Sequence, residues 1–75
     1  MAMATREETM SYHVEMIAVN SSFIEAVGYD GRHLYVEIGG RTYTHHYVPY
    51  YHYVGLLNAE SPGGYYNRYI RGRYP

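Results

Sequence analysis

Seventy-five residues with six arginines, no lysine, seven acidic groups and a formal charge of −1 leave room for one domain, without the positive field that a general duplex binder needs. The absence of cysteine excludes a disulfide framework and a thiolate metal site. No run approaches the ~20 apolar residues of a membrane span and no signal-peptide region is present, so the sequence reads as a soluble cytoplasmic protein with no membrane partner.

A chain this short buries only roughly 60–65% of its unfolded surface. Aromatic packing, self-association or a ligand must then add stability. The twelve tyrosines suit all three, because each offers a rigid ring with a polar tip, and so small a domain cannot hide twelve. Charge is unevenly placed: acidic groups gather before residue 26, whereas Arg68, Arg71 and Arg73 cluster near the C-terminus.

In chain order, residues 1–13 read as a tail that is loose or ordered by a partner, although Thr5 and Glu8 have capping-box spacing. Residues 14–75 read as the domain. Val14 to Val19 is β-branched and apolar, as a short strand is. Asn20-Ser21-Ser22 breaks it with side chains that bond neighbouring backbone. Phe23 to Tyr29 follows as a strand, with Ile24, Ala26 and Gly28 expected on one face and Phe23, Val27 and Tyr29 on the other. Asp30-Gly31 is a hairpin signal. Leu34, Val36 and Ile38 then alternate inward, and Gly39-Gly40 makes the next turn.

Arg41 to Tyr47 alternates rings with hydroxyls, which predicts that Tyr43, His45 and Tyr47 share one face of a strand. Pro49 stops that pattern and presets a helix start. Tyr50, Tyr53, Val54 and Leu57 recur at helical spacing. Ser61-Pro62 supplies an N-cap and first-turn proline for a second helix, whose Gly63-Gly64 predicts an irregular first turn. Tyr66 and Ile70 are its expected buried stripe, with Asn67, Arg68 and Arg71 outside and Gly72 at the C-terminal end. The fold class is α+β: an antiparallel meander of three to four strands followed by two short helices packed on one face.

Four blocks resemble the KTSC family of small domains: Val19-Asn20-Ser21-Ser22 leading to Val27-Gly28-Tyr29-Asp30; Leu34-x-Val36-x-Ile38; the aromatic run to Val48-Pro49; and Ala59-x-Ser61-x-Gly63-Gly64-Tyr65-Tyr66-Asn67-Arg68-x-Ile70-Arg71. The resemblance spans about Val19 to Tyr74. That family occurs as single-domain bacterial and phage proteins and as a C-terminal extension of some lysyl-tRNA synthetases; it implies no catalytic role, and RNA binding has been proposed for it. Where the family usually carries Tyr-x-Tyr, this chain has Tyr43-Thr44-His45.

The residues themselves point to a nucleotide or oligonucleotide ligand. Tyr43, His45 and Tyr47 can stack bases, with Tyr74 a further ring. Arg68 and Arg71 can pair with phosphates, Ser61 and Gly63 can present the helix start, and Asn67 can read a base edge. His45 and His46 point to opposite faces of a strand and cannot chelate one metal together, so no metal site is expected. Ser21, Ser22 and Ser61 lack a nucleophile's setting, so no catalysis or cofactor is expected. By analogy with phage proteins of similar size, the concrete expectation is a homo-oligomeric sponge for cyclic nucleotide immune signals. The alternatives are an RNA-binding module and a protein-interaction module built on the same tyrosines.

Overall fold

The computed structural model describes residues 14–75. The tail expected over residues 1–13, with its Thr5–Glu8 spacing, lies outside the described residues. Four antiparallel strands lie side by side in chain order: β1 (Ile17–Ala18), β2 (Ile24–Tyr29), β3 (Leu34–Ile38) and β4 (Arg41–His45). Helix α1 (Tyr50–Asn58) follows, then α2 (Pro62–Tyr65), which runs directly into a π turn (Tyr66–Ile70). This is the expected α+β meander with helices after it.

The sheet's register explains its buried face. Val27 pairs with Val36 and Tyr29 with Leu34, while Val36 also opposes Tyr43 and Leu34 opposes His45. Cross-strand partners share a face, so Tyr43 and His45 join the side on which Val27, Leu34 and Val36 pack with Leu56, Tyr66 and Ile70. Gly39 and Gly40, at φ 61° and 77°, form the two-residue turn between β3 and β4, where both central residues need positive φ.

Four expectations need correction. The predicted strand from Val14 to Val19 contracts to two paired residues. In β2, simple alternation would place Ile24 with Ala26, yet Ile24 pairs with Ile38 and Ala26 with Glu37. Glu25 is therefore an extra, bulged residue, and the bulge turns Ile24 into the core. Its carboxylate accepts from the Gly40 N–H at 3.1 Å, tying the bulge to the neighbouring turn.

In α1 the buried residues are His52 and Leu56, one position off the predicted stripe. Tyr50 and Leu57 stay exposed, while Tyr53 is half-buried against the Tyr29 ring at 5.5 Å. Tyrosine blurs such a pattern because its ring can pack while its hydroxyl stays wet. The fourth correction concerns Gly63-Gly64. The α2 turn is regular and capped, with the Gly64 N–H donating to Ser61 Oγ at 3.1 Å. The irregularity lies further on, where the Arg71 N–H bonds the Tyr66 carbonyl five residues back at 2.9 Å.

Gly63 is required by packing. A Cβ there would run into the Phe23 ring and stand 3.1 Å from Ser21 Oγ. Gly63→Ala should therefore cost about 1–3 kcal/mol as overpacking, a fall of several degrees in Tm by scanning calorimetry. An unchanged Tm would show that Phe23 swings freely aside.

Buried His52 contacts the Tyr65 hydroxyl through Nδ1 at 3.0 Å. Burial first, and the nearby Arg73 charge second, lower its pKa from the ordinary 6.5. The folded ring thus stays neutral where the unfolded ring takes up a proton. Below pH 6.5 the unfolded chain binds more protons through this group, so stability falls with acid. Denaturant titrations from pH 7.5 to 5 should show this loss, and His52→Gln should flatten it.

Candidate functional site

A cleft of about 360 Å³ opens between the β4 edge and the π turn, lined by Phe23, Ile38, Tyr43, Tyr66 and Arg71. Each lining group is set by local structure. Phe23 enters just before β2, where Ser21 Oγ accepts from the N–H groups of Phe23 at 3.3 Å and Ile24 at 3.1 Å. Its ring meets Tyr66 edge-on at 6.3 Å. Tyr43 reaches the cleft from β4 and remains 42% exposed, so its ring is available to a ligand. Arg71 ends the π turn. The wider i→i+5 spacing stacks its backbone above Tyr66 and brings the guanidinium to the rim.

Behind the cleft, His45 joins three parts of the chain. Its Nδ1 lies 3.0 Å from the Tyr74 carbonyl and its Nε2 2.8 Å from the Tyr66 hydroxyl. A carbonyl can only accept, so Nδ1 carries the hydrogen; in the neutral ring Nε2 then accepts from the Tyr66 O–H. Burial raises the Tyr66 pKa, with Arg71 pulling the other way, so this hydroxyl is a protonated donor near neutrality. His45 thus aims a cleft-lining ring; its own ring nitrogens are already engaged.

Tyr47 does not share the face of Tyr43 and His45, because β4 ends at His45. It sits in the following turn at φ 57°, a left-handed conformation uncommon for a residue with a side chain, and is 72% exposed. There it meets the His33 ring at 5.3 Å and the Arg32 guanidinium at 6.0 Å. His33 Nδ1 accepts from the Tyr47 N–H at 3.4 Å and from His46 Nδ1 at 3.2 Å, which assigns the hydrogen of that pair to His46. This cluster borders a second hollow of about 340 Å³ beside Asp30, whose carboxylate accepts from the His33 and Arg32 N–H groups and the Tyr35 hydroxyl. Those bonds, led by the one from His33, hold Asp30 below its usual pKa and leave it occupied within its turn.

The remaining predicted residues divide. Ser61 caps α2, and Gly63 lies against Phe23, one residue behind the cleft wall. Asn67 and Arg68 are exposed, and the Arg68 guanidinium leans over the Tyr69 ring at 5.7 Å. The Tyr74 carbonyl receives His45, while its ring packs 5.7 Å from His52. The structure therefore brings Tyr43 and Arg71 together directly, with His45 and Gly63 supporting the cleft. Phe23, Ile38 and Tyr66 complete it; that position 63 must be glycine to admit the Phe23 ring is visible only in the packing.

A third hollow, about 500 Å³, runs between β1 and the helices past Ile17, Val19, Leu57, Glu60 and Pro62. It is larger, but its charged lining residue is acidic. The cleft at Tyr43 brings three carbocyclic aromatic rings, those of Phe23, Tyr43 and Tyr66, together with a cation, Arg71.

The KTSC domain model matches residues 20–74. The chain belongs to the KTSC family. A KTSC domain protein from Yersinia pestis, solved by crystallography, aligns with a TM-score of 0.78 at 27% identity, over 84% of this chain and 93% of that one. Among curated proteins, none matches the chain. No helix among the described residues is long and apolar enough to cross a membrane.

If His45 braces the cleft, His45→Ala should leave the buried Tyr66 hydroxyl and the Tyr74 carbonyl without partners, at about 1–3 kcal/mol each before relaxation. Tyr66→Phe removes one of those bonds and should cost less. Urea denaturation of the two variants tests the order; a Tyr66→Phe loss equal to that of His45→Ala would show that the Tyr74 contact contributes nothing.

Proposed function

We propose that this KTSC domain binds nucleotides without turning them over, and that its concrete role is to sequester a cyclic (oligo)nucleotide signal. One observation carries the reading: Phe23, Tyr43 and Tyr66 converge with the Arg71 guanidinium around a single cleft of about 360 Å³. Exposed aromatic faces stack any nucleobase, and a guanidinium at the rim pairs with the attached phosphate. The volume falls at the lower end of the ~300–1,000 Å³ typical of small-molecule sites, which suits one nucleotide unit.

The chemistry of the lining supports binding without turnover. A phenyl ring, an alkyl group, two phenols and a guanidinium contain no general base at neutral pH, and the Tyr66 phenol is held protonated by burial. RNA binding is the runner-up because Tyr47, Tyr50 and Tyr51 are 72%, 61% and 66% exposed, and a longer strand could stack on them after leaving the cleft.

The decisive measurement is a thermal-shift and calorimetric panel of mononucleotides, cyclic dinucleotides, cyclic trinucleotides and short RNAs. A cleft ligand at 100 times its Kd should stabilise the domain by about 2.7 kcal/mol, or on the order of 10 °C. Tyr43→Ala and Arg71→Ala should each weaken that ligand by about tenfold or more, whereas Tyr51→Ala should leave its affinity unchanged. Binding restricted to multi-nucleotide RNA, and sensitive to Tyr51→Ala, would favour the RNA reading. No response to any nucleotide would sink both.

A further inference from the structure

We propose that two copies of this chain join edge to edge through β4, with the two-fold axis at Tyr43, and that the two clefts then form one groove for a ligand carrying two bases and two phosphates. The ligand half of this proposal rests on the nucleotide reading above; the edge pairing does not.

The argument begins with which backbone groups of β4 face outward. Ile38 and Arg41 flank the two-residue Gly39-Gly40 turn, and a pair in that position exchanges hydrogen bonds. Bonded and non-bonded pairs alternate along an antiparallel ladder. Val36–Tyr43 and Leu34–His45 are therefore bonded pairs, whereas Glu37–Thr42 and Tyr35–Thr44 are not. The N–H and C=O groups of Thr42 and Thr44 consequently point away from β3. His46 supplies an independent check on this phase: its N–H, two residues beyond Thr44, donates to the Pro75 carbonyl at 3.0 Å instead of to β3.

Among the described residues, no strand pairs with the outer edge of β4, and Arg41 to Thr44 are exposed. A free edge of this kind invites another strand. The segment Arg41-Thr42-Tyr43-Thr44-His45 is suited to a second copy of itself. With the axis at Tyr43, Thr42 opposes Thr44 of the partner subunit and Thr44 opposes the partner's Thr42. Each pair exchanges two hydrogen bonds, four in all, and brings together threonines, which pair well across strands.

Shifting the axis to Thr44 would require the outward N–H of His46, which Pro75 already uses. In the Tyr43-centred register the four bonds fall at Thr42 and Thr44, and His46 lies opposite Gly40 of the partner subunit, where the Gly39-Gly40 turn carries that chain back toward its own β3 and away from the Tyr74-Pro75 segment. The chain's own hydrogen bonding thus disfavours the Thr44-centred register.

The pairing has a consequence for the site. Tyr43 shares the helix-covered face with Val36, so the partner's Tyr43 emerges on the same face of the joined sheet. The two rings form a non-bonded cross-strand pair, the arrangement in which side chains stand closest. Each ring also lines its own cleft, whose opposite rim is Arg71. The joined surface presents two central tyrosines flanked symmetrically by two arginines, which matches a cyclic dinucleotide in symmetry and charge.

The chain contains no cysteine, so an introduced one reports contact without ambiguity. Tyr43→Cys should form a disulfide-linked dimer under mild oxidation without added nucleotide, and Thr42→Cys should do so at least tenfold more slowly. Thr44→Pro removes an outward donor that the β3–β4 ladder does not use, and should weaken dimerisation at least tenfold by sedimentation. Circular dichroism checks its fold; if it fails to fold, the two cysteine variants still decide the register. For the ligand, wild-type protein should bind one cyclic di-AMP per two chains by calorimetry, and Thr44→Pro should bind it at least tenfold more weakly.

A wild-type protein that remains monomeric, or equal cross-linking at positions 42 and 43, would overturn the edge pairing and leave the nucleotide reading intact. One cyclic di-AMP per chain, held equally well by Thr44→Pro, would overturn the joined groove. A cross-linked dimer that binds no nucleotide would retain the pairing and refute the ligand assignment together with the reading on which it rests.

Discussion

Two hydrogen bonds from one imidazole connect the edge of the sheet to the end of the chain. His45 is the last residue of β4, and its ring reaches the Tyr66 hydroxyl on one side and the Tyr74 carbonyl on the other. Without that brace, the π turn would meet the sheet mainly through apolar contacts, which fix distance better than orientation, and the His46 N–H to Pro75 carbonyl bond would be left to hold the residues after it. With it, the Tyr66 ring has a defined tilt, and Tyr66 in turn backs Phe23. A tyrosine at position 45 would have one polar tip and could reach only one of these partners. The histidine therefore changes how the cleft wall is held.

The size of the domain explains why so many rings lie half in and half out. Its fully buried side chains are aliphatic: Ile24, Val27, Leu34, Val36, Val48, Leu56 and Ile70. Tyrosines surround this centre, with Tyr29 stacked on Tyr53 and Tyr65 close to Tyr69 at 4.6 Å. Their rings cover the core while several hydroxyls bond across elements, as Tyr29 does to the Val48 carbonyl. A small chain can enlarge its core in this way without presenting bare hydrocarbon to water.

The order of elements was legible in the sequence because its signals are local and strong. Asp30-Gly31, Gly39-Gly40 and Ser61-Pro62 each specify a backbone geometry that few other residues allow, and each occurs where expected. What stayed hidden depends on contacts distant in the chain. The Glu25 bulge is stabilised by Gly40, fifteen residues away, and nothing in Phe23 to Tyr29 announces it. The buried side of α1 was obscured because His52 reads as polar, although Tyr65 supplies its partner. Alternation also carried Tyr47 past the true end of β4, since the period of two cannot see a residue at φ 57°. Of the candidate site, the Tyr43 and Arg71 pairing could be anticipated by chemical type; Phe23 could not, because its place depends on the missing Cβ of Gly63.

Strand β4, through Tyr43, and the arginine-bearing turn both line one cleft, and among the described residues the outer edge of the same strand is unpaired. Tyr43 contributes a ring to the cleft and is held by its bonded pair with Val36, while the backbone groups of Thr42 and Thr44 point to the outer edge. A bulge placed here to protect the edge would tilt Tyr43 away from Phe23 and Arg71. A regular, exposed edge is therefore the natural consequence of keeping the aromatic wall flat. Pairing that edge with its own copy, as proposed above, would satisfy the backbone without disturbing the wall.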